Sequence, residues 1–177
     1  MEHYRNIGTD GEMSYRNSKM AQGMLYQDFA SDILRVKAGL FVGAYSSKEY
    51  QLYVGESASG IELKWDGRHI DTHNWCIETA EKAIERNGEY AYSGIYKDDR
   101  SWLYAIGDCQ TILIFTIKHL KAMDKEGNWL KEYHIPTSKG FILDGKRACD
   151  NAAKIVTIQQ NDSTRHWESI IRSYDIN

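Results

Sequence analysis

Glu62, Lys64 and Asp66 stand at alternate positions in the segment Gly60-Ile-Glu-Leu-Lys-Trp-Asp66. In an extended strand alternate side chains share a face, so these three charged groups point one way and Ile61, Leu63 and Trp65 the other. The apolar set can bury against a helix and leave the charged set on the far face. Glu56 lies across a turn of small residues, Gly55 to Ser59, where its carboxylate can approach Glu62. Two converging carboxylates make a hard-oxygen site suited to Mg²⁺, with Mn²⁺ as a substitute. Such an ion lowers the pKa of a bound water and neutralises charge that builds up at phosphorus. A lysine two residues from one carboxylate can orient that water or stabilise the pentacovalent transition state. The chemistry that uses these groups together is phosphodiester hydrolysis. An isolated Glu-x-Lys on a strand is commonly a solvated ion pair and no more. Here Asp66, Glu56 and a further Glu78, with Lys82 four residues on, add to it.

The elements that must hold these residues follow from periodicity. From Ser18 to Ala38 the pattern is helical, with Leu25, Phe29, Ile33 and Val36 on one face, Asp28 and Asp32 beside it, and Gly39 as the stop. Residues 1–17 are polar and read as a loose segment; residues 18–177 read as one domain. EYQLYV (49–54) and GIELKWD (60–66) predict two strands, and a polar loop follows from Gly67 to Asn74. WCIETAEK alternates, which predicts a strand to about Ala80. SWLYAI (101–106) and TILIFT (111–116) are short apolar runs that suit strands covered on both faces. IKHLKAM predicts a short helix. The tail, with Pro136, Gly140 and Gly145, reads as loop-rich and closes on a helix from about Lys146 through RACDNAAKIV. The order predicts an α/β fold: a central mixed sheet of four to five strands flanked by helices.

This arrangement, carried by GESASGIELKWD, NWCIETAEK, SGI, AIGD and TILIF, resembles the PD-(D/E)XK nuclease superfamily over roughly residues 20–120, and in particular small members found in bacteria and phages. The resemblance implies a restriction-endonuclease-like sheet and Mg²⁺-dependent cleavage of DNA. It implies that Glu56 is the first acidic residue, and Glu62 and Lys64 the second acidic residue and the lysine. Asp28 or Asp32 matches the acidic residue that some members place on the first helix, and Glu78 an extra metal ligand on the next strand. Three features depart from the pattern: Glu replaces the usual Asp at 56, no proline precedes it, and only five residues separate it from Glu62. Many such nucleases work as homodimers, which the resemblance leaves open here. The competing expectation is a nuclease fold without activity that binds nucleic acid or a protein partner.

Other motifs carry less. Gly140-Phe-Ile-Leu-Asp-Gly145-Lys146 has the spacing of a phosphate-binding loop, but Arg147 stands where Ser or Thr would bind Mg²⁺. Lys139, Lys146 and Arg147 remain candidate phosphate contacts. His69, Asp71, His73 and Asn74 invite an HNH-type reading, yet no ββα frame surrounds them. Tyr90, Tyr92 and Tyr96 are the aromatics least committed to a core and could stack on bases.

Apolar residues make up 42% of the chain and charged residues 27%, with a single proline, as in a globular domain. A net charge of −3 argues against coating nucleic acid by electrostatics alone. Charge is uneven: residues 1–110 hold 12 Lys/Arg against 17 Asp/Glu, and the remainder 10 against 8. Cys76, Cys109 and Cys149 fit neither a disulfide framework nor a zinc motif. No segment has the apolar length of a membrane span or the core of a signal peptide, so the expected location is the cytoplasm.

Overall fold

Tyr26, Phe29, Ala30 and Leu34 recur at helical spacing and are almost wholly buried. They form the inner face of helix α1 (Asp10–Ala38) in a computed structural model of the chain, which describes residues 10–43, 57, 59–82 and 88–174. The helix begins at Asp10, not Ser18. The buried stripe is also rotated from the predicted one: Leu25 and Ile33 are partly buried, while Val36 is 72% exposed. The strand expected at 49–54 lies outside the described residues.

The chain then forms β1 (Ile61–Trp65), α2 (His69–Thr72), β2 (Asn74–Lys82), β3 (Tyr90–Tyr92), a 3₁₀ turn (Gly94–Tyr96), β4 (Leu103–Gly107) and β5 (Thr111–Thr116). After these come α3 (Ile117–Glu126), β6 (Lys131–His134), β7 (Ser138–Asp144), α4 (Gly145–Asn151), β8 (Lys154–Thr157) and α5 (Asp162–Arg172). No helix among the described residues is long and apolar enough to cross a membrane.

The fold is α/β, but its described strands form two sheets rather than one. The first runs β1-β4-β5-β8, with β1 and β4 parallel and the other pairs antiparallel. The second runs β3-β2-β7-β6 and is antiparallel throughout. Chemistry explains why a second sheet is needed. One face of the first sheet (Ile61, Leu63, Leu103, Ala105, Ile112, Ile114) packs against α1 and α5. Its other face carries Tyr104, Ile106, Leu113 and Phe115, which would otherwise meet water. Trp75, Ile77, Phe141 and Leu143 of the second sheet cover them, with Leu120 and Met123 of α3. Each such aliphatic or aromatic side chain contributes about 1.5–3 kcal/mol when fully buried.

The tail read as loop-rich supplies β6 and β7, and Lys154 to Val156, expected as the end of a helix, belong to strand β8 beside β5. Helix α4 ends at Asn151. The missed helix α5 opens on a capping box, in which the Asn161 side chain accepts from the Thr164 amide and Thr164 Oγ1 accepts from the Asn161 amide.

Candidate metal and phosphodiester site

Strand β1 realises the alternation in its sequence. Ile61 and Leu63 face α1; Glu62 stands beside Tyr104, and Lys64 beside Ile106, on the face turned to the second sheet. Glu62 is fully buried. Lys64 Nζ lies 2.8 Å from Glu62 Oε1 and 3.8 Å from Glu78 Oε1. The Lys64 and Glu78 side chains keep 30% and 22% of their exposure, so the cluster is closed below and opens to solvent through them. Burying a carboxylate costs several kcal/mol even after relaxation, and a buried pair seldom repays that in stability.

Glu78 is held by its surroundings. Ser93 Oγ donates to Glu78 Oε1 at 2.8 Å. The ladder between β2 and β7 shifts register between Glu78 and Ala80, a bulge that re-aims side chains. Two glycines allow the close approach. Gly94 has φ +52°, and a Cβ there would run into the Glu78 carbonyl. A Cβ on Gly140, the partner of Glu78 in β7, would run into the Ile77 carbonyl and press on the Tyr133 ring. Gly140 is thus a strand residue at a tight crossing, not the start of a phosphate loop.

Two tyrosines complete the surroundings. Burial pushes the Tyr104 hydroxyl well above its ordinary pKa; Lys64 opposes the shift, and Glu62 and Glu78 add to it. Burial likewise raises Tyr133, and Glu78 adds to it. Tyr133 also lines a cleft of about 360 Å³ with Thr79, His134, Lys139 and Gly140. Lys82 and Lys139 hold their amines 4.9 and 5.2 Å from the Tyr90 ring centre near that end of the sheet. Ser93, Tyr104 and Tyr133 were not singled out from the sequence as site residues.

The remaining candidates are distributed as follows. Glu56 lies outside the described residues. Asp28 is exposed on α1, which packs on the Ile61/Leu63 face, so the structure does not bring it to Glu62; Asp32 is exposed and pairs with Arg35. A helix on one side of a sheet cannot deliver a short carboxylate through it. Asp66 falls beyond the end of β1. Its Oδ2 accepts the Cys76 amide at 2.9 Å and its Oδ1 the Arg68 amide at 3.2 Å, tying β1 to β2; burial raises its pKa in spite of both bonds.

Lys139, Lys146 and Arg147 do not form one patch. Lys139 is exposed near the Gly140 crossing, whereas Lys146 and Arg147 follow the far end of β7, roughly 17 Å along the strand at ~3.3 Å per residue. There Lys146 pairs with Asp150 and Arg147 with Asp144. His69 does not join a metal cluster either: its Nδ1 is 2.9 Å from buried Asp108 Oδ2, and its ring stacks on Trp75 at 3.7 Å. Among the described residues no three His, Cys, Asp or Glu side chains gather as a metal-holding group. Among the described residues, Glu62 and Glu78 are carboxylates that meet at Lys64. No family model, curated protein or solved structure matches the chain.

Proposed function

We propose that this protein is a Mg²⁺-dependent nuclease that hydrolyses phosphodiester bonds in DNA. The observation that carries the reading is the buried Glu62 sharing the Lys64 ammonium with Glu78. The donor set fits the ion: Mg²⁺ is commonly held by one or two carboxylates and completes its shell with water and phosphate oxygens. Glu62 and Glu78 would hold it, with Glu56 as the further ligand that the family resemblance implies. When bound, the ion supplies a more acidic water and neutralises charge at phosphorus. Lys64 Nζ donates to the attacking water or to a phosphoryl oxygen, in a site sheltered enough for that charge to act strongly. Ser93 fixes the rotamer of Glu78. A homodimer would let two such centres cut both strands of a duplex.

The test is a cleavage panel over supercoiled, linear, branched and single-stranded DNA, with and without Mg²⁺ or Mn²⁺, comparing the wild type with Lys64→Ala and Glu62→Gln. Metal-dependent cutting that both variants lose, with folding intact, supports the reading. Cutting by both variants at the wild-type rate overturns it. Binding of DNA without any cutting points instead to an inactive nuclease-fold module.

A further inference from the structure

Register gathers cations and tyrosines on one face of the second sheet. His134 pairs with Lys139, Lys139 with Ala80 and Ala80 with Tyr92, while Lys82 pairs with Tyr90 two residues farther along β2. Directly paired residues share a face, as do residues two apart in a strand. The side chains meet across it. The Tyr90 ring lies 5.0 Å from the His134 ring, and the Lys82 and Lys139 amines stand 4.9 and 5.2 Å from its centre. The Tyr92 ring is 5.7 Å from Tyr96, over which Lys121 of α3 holds its amine at 5.4 Å. A ring face positions an ammonium without neutralising it, whereas a carboxylate does both. Lys121 and Lys139 make no ion pair among the described residues, so their charge stays available to an anion. Tyr92 is 78% exposed, and its ring is open to a planar ligand.

The cleft of about 360 Å³ belongs to the same region: His134 and Lys139 line it, together with the acids Asp124 and Glu132. Asp124 Oδ2 accepts from the Tyr96 hydroxyl at 2.8 Å, which joins the cleft to the tyrosines. These acids repel a phosphate and accept from base amino groups, so a nucleic acid would turn its bases to the cleft and its backbone to the lysines. We propose that this face binds single-stranded DNA, with phosphates on Lys139 and Lys121 and a base stacked on Tyr92. A duplex keeps its base faces covered; an unpaired strand offers base faces, base edges and phosphates together. The proposal rests on the nuclease reading for its ligand and deepens it: the DNA bound presents an unpaired stretch.

The test is anisotropy of a fluorescein-labelled DNA oligonucleotide in EDTA, single-stranded or annealed to its complement, at several KCl concentrations. The wild type should bind the single strand about tenfold more tightly than the duplex. Tyr92→Ala should weaken single-strand binding by about tenfold, and Tyr92→Phe, which keeps the ring, should restore it. Lys121→Gln/Lys139→Gln should also weaken binding, and the slope of log affinity against log salt should become shallower by about 0.7 for each lysine removed. All three variants change partly or fully exposed side chains and should keep the wild-type thermal midpoint. Equal or tighter binding of the duplex overturns the proposal. So does wild-type affinity in both Tyr92→Ala and the lysine variant, or tighter binding of the matching RNA strand. Metal-dependent cleavage that Glu62→Gln loses, without this single-strand binding, overturns the proposal and leaves the nuclease reading standing. Single-strand binding as described, with no cleavage of any DNA, sinks the nuclease reading and supports the binding face.

Discussion

Lys64 holds the centre together at the scale of single residues, and its replacement separates stability from chemistry. Lys64→Met keeps the aliphatic stem and removes the ammonium 2.8 Å from Glu62. Leaving a buried carboxylate without that partner should cost about 1–3 kcal/mol in urea unfolding, as well as abolishing cleavage. The double variant Glu62→Gln/Lys64→Met should regain most of that stability and none of the cleavage, since it no longer buries the charge. A double variant no more stable than Lys64→Met alone would mean that the pair is not what holds the site. The Glu62–Lys64 pair was legible in the sequence because a period of two fixes which side chains share a face. Glu78 was legible as a further carboxylate on the next strand, and as a metal ligand only through the family resemblance. Tyr104 was not legible. It sits in an apolar run that reads as ordinary core, and its closeness to Glu62 depends on a parallel pairing of strands far apart in sequence.

Glycine positions probe the elements. Gly140→Ala places a methyl group against the Ile77 carbonyl and the Tyr133 ring, at the point where β7 crosses β2 beside Glu78. It should lower stability by about 1–3 kcal/mol, as overpacking does, and reduce cleavage by shifting Glu78. Gly23→Ala, in the open middle of α1 with no atom within 4 Å, should instead raise stability by about 0.5–1 kcal/mol. Urea unfolding of the two variants reads both signs, and equal effects would contradict the packing described. The strands β1, β2, β4 and β5 and helix α1 showed in the sequence because each carries its own periodic or apolar pattern. β7 did not, because Gly140 and the nearby Pro136 and Gly145 mimic a loop; pairing with β2 on one side and β6 on the other makes it a strand. β8 is four residues long and, among the described strands, pairs with β5 alone, so its local signal merged with the helix before it. The Asn161–Thr164 cap of α5, followed by Trp167, Ile170 and Ile171, was a readable helix signal.

The two-sheet arrangement governs behaviour at the scale of the whole molecule. The sequence announced apolar strands covered on both faces, but not that a second sheet, partly built from the tail, would be one of the covers. Closing the sheets over polar groups leaves a mark on pH dependence. Burial pushes the Cys76 thiol up to about 11, with Asp66 adding to it, and the Cys109 thiol up to about 12. Burial, then the hydrogen bond to Asp124, pushes Tyr96 up to about 12. The folded chain holds these protons more tightly than the unfolded chain does. Their contribution is therefore complete below pH about 9 and is lost as pH rises toward 11 and beyond. Thermal midpoints should fall across that range, and less steeply in Cys76→Ala; a midpoint that rises there would contradict the burial of these groups. The central claim, that Glu62 and Glu78 grip a divalent ion beside Lys64, is tested most directly by calorimetric titration of Mn²⁺ into the wild type and Glu62→Gln. Saturable binding in the wild type that disappears in the variant is the predicted result. Identical heats in the two proteins, or none in the wild type, would contradict it.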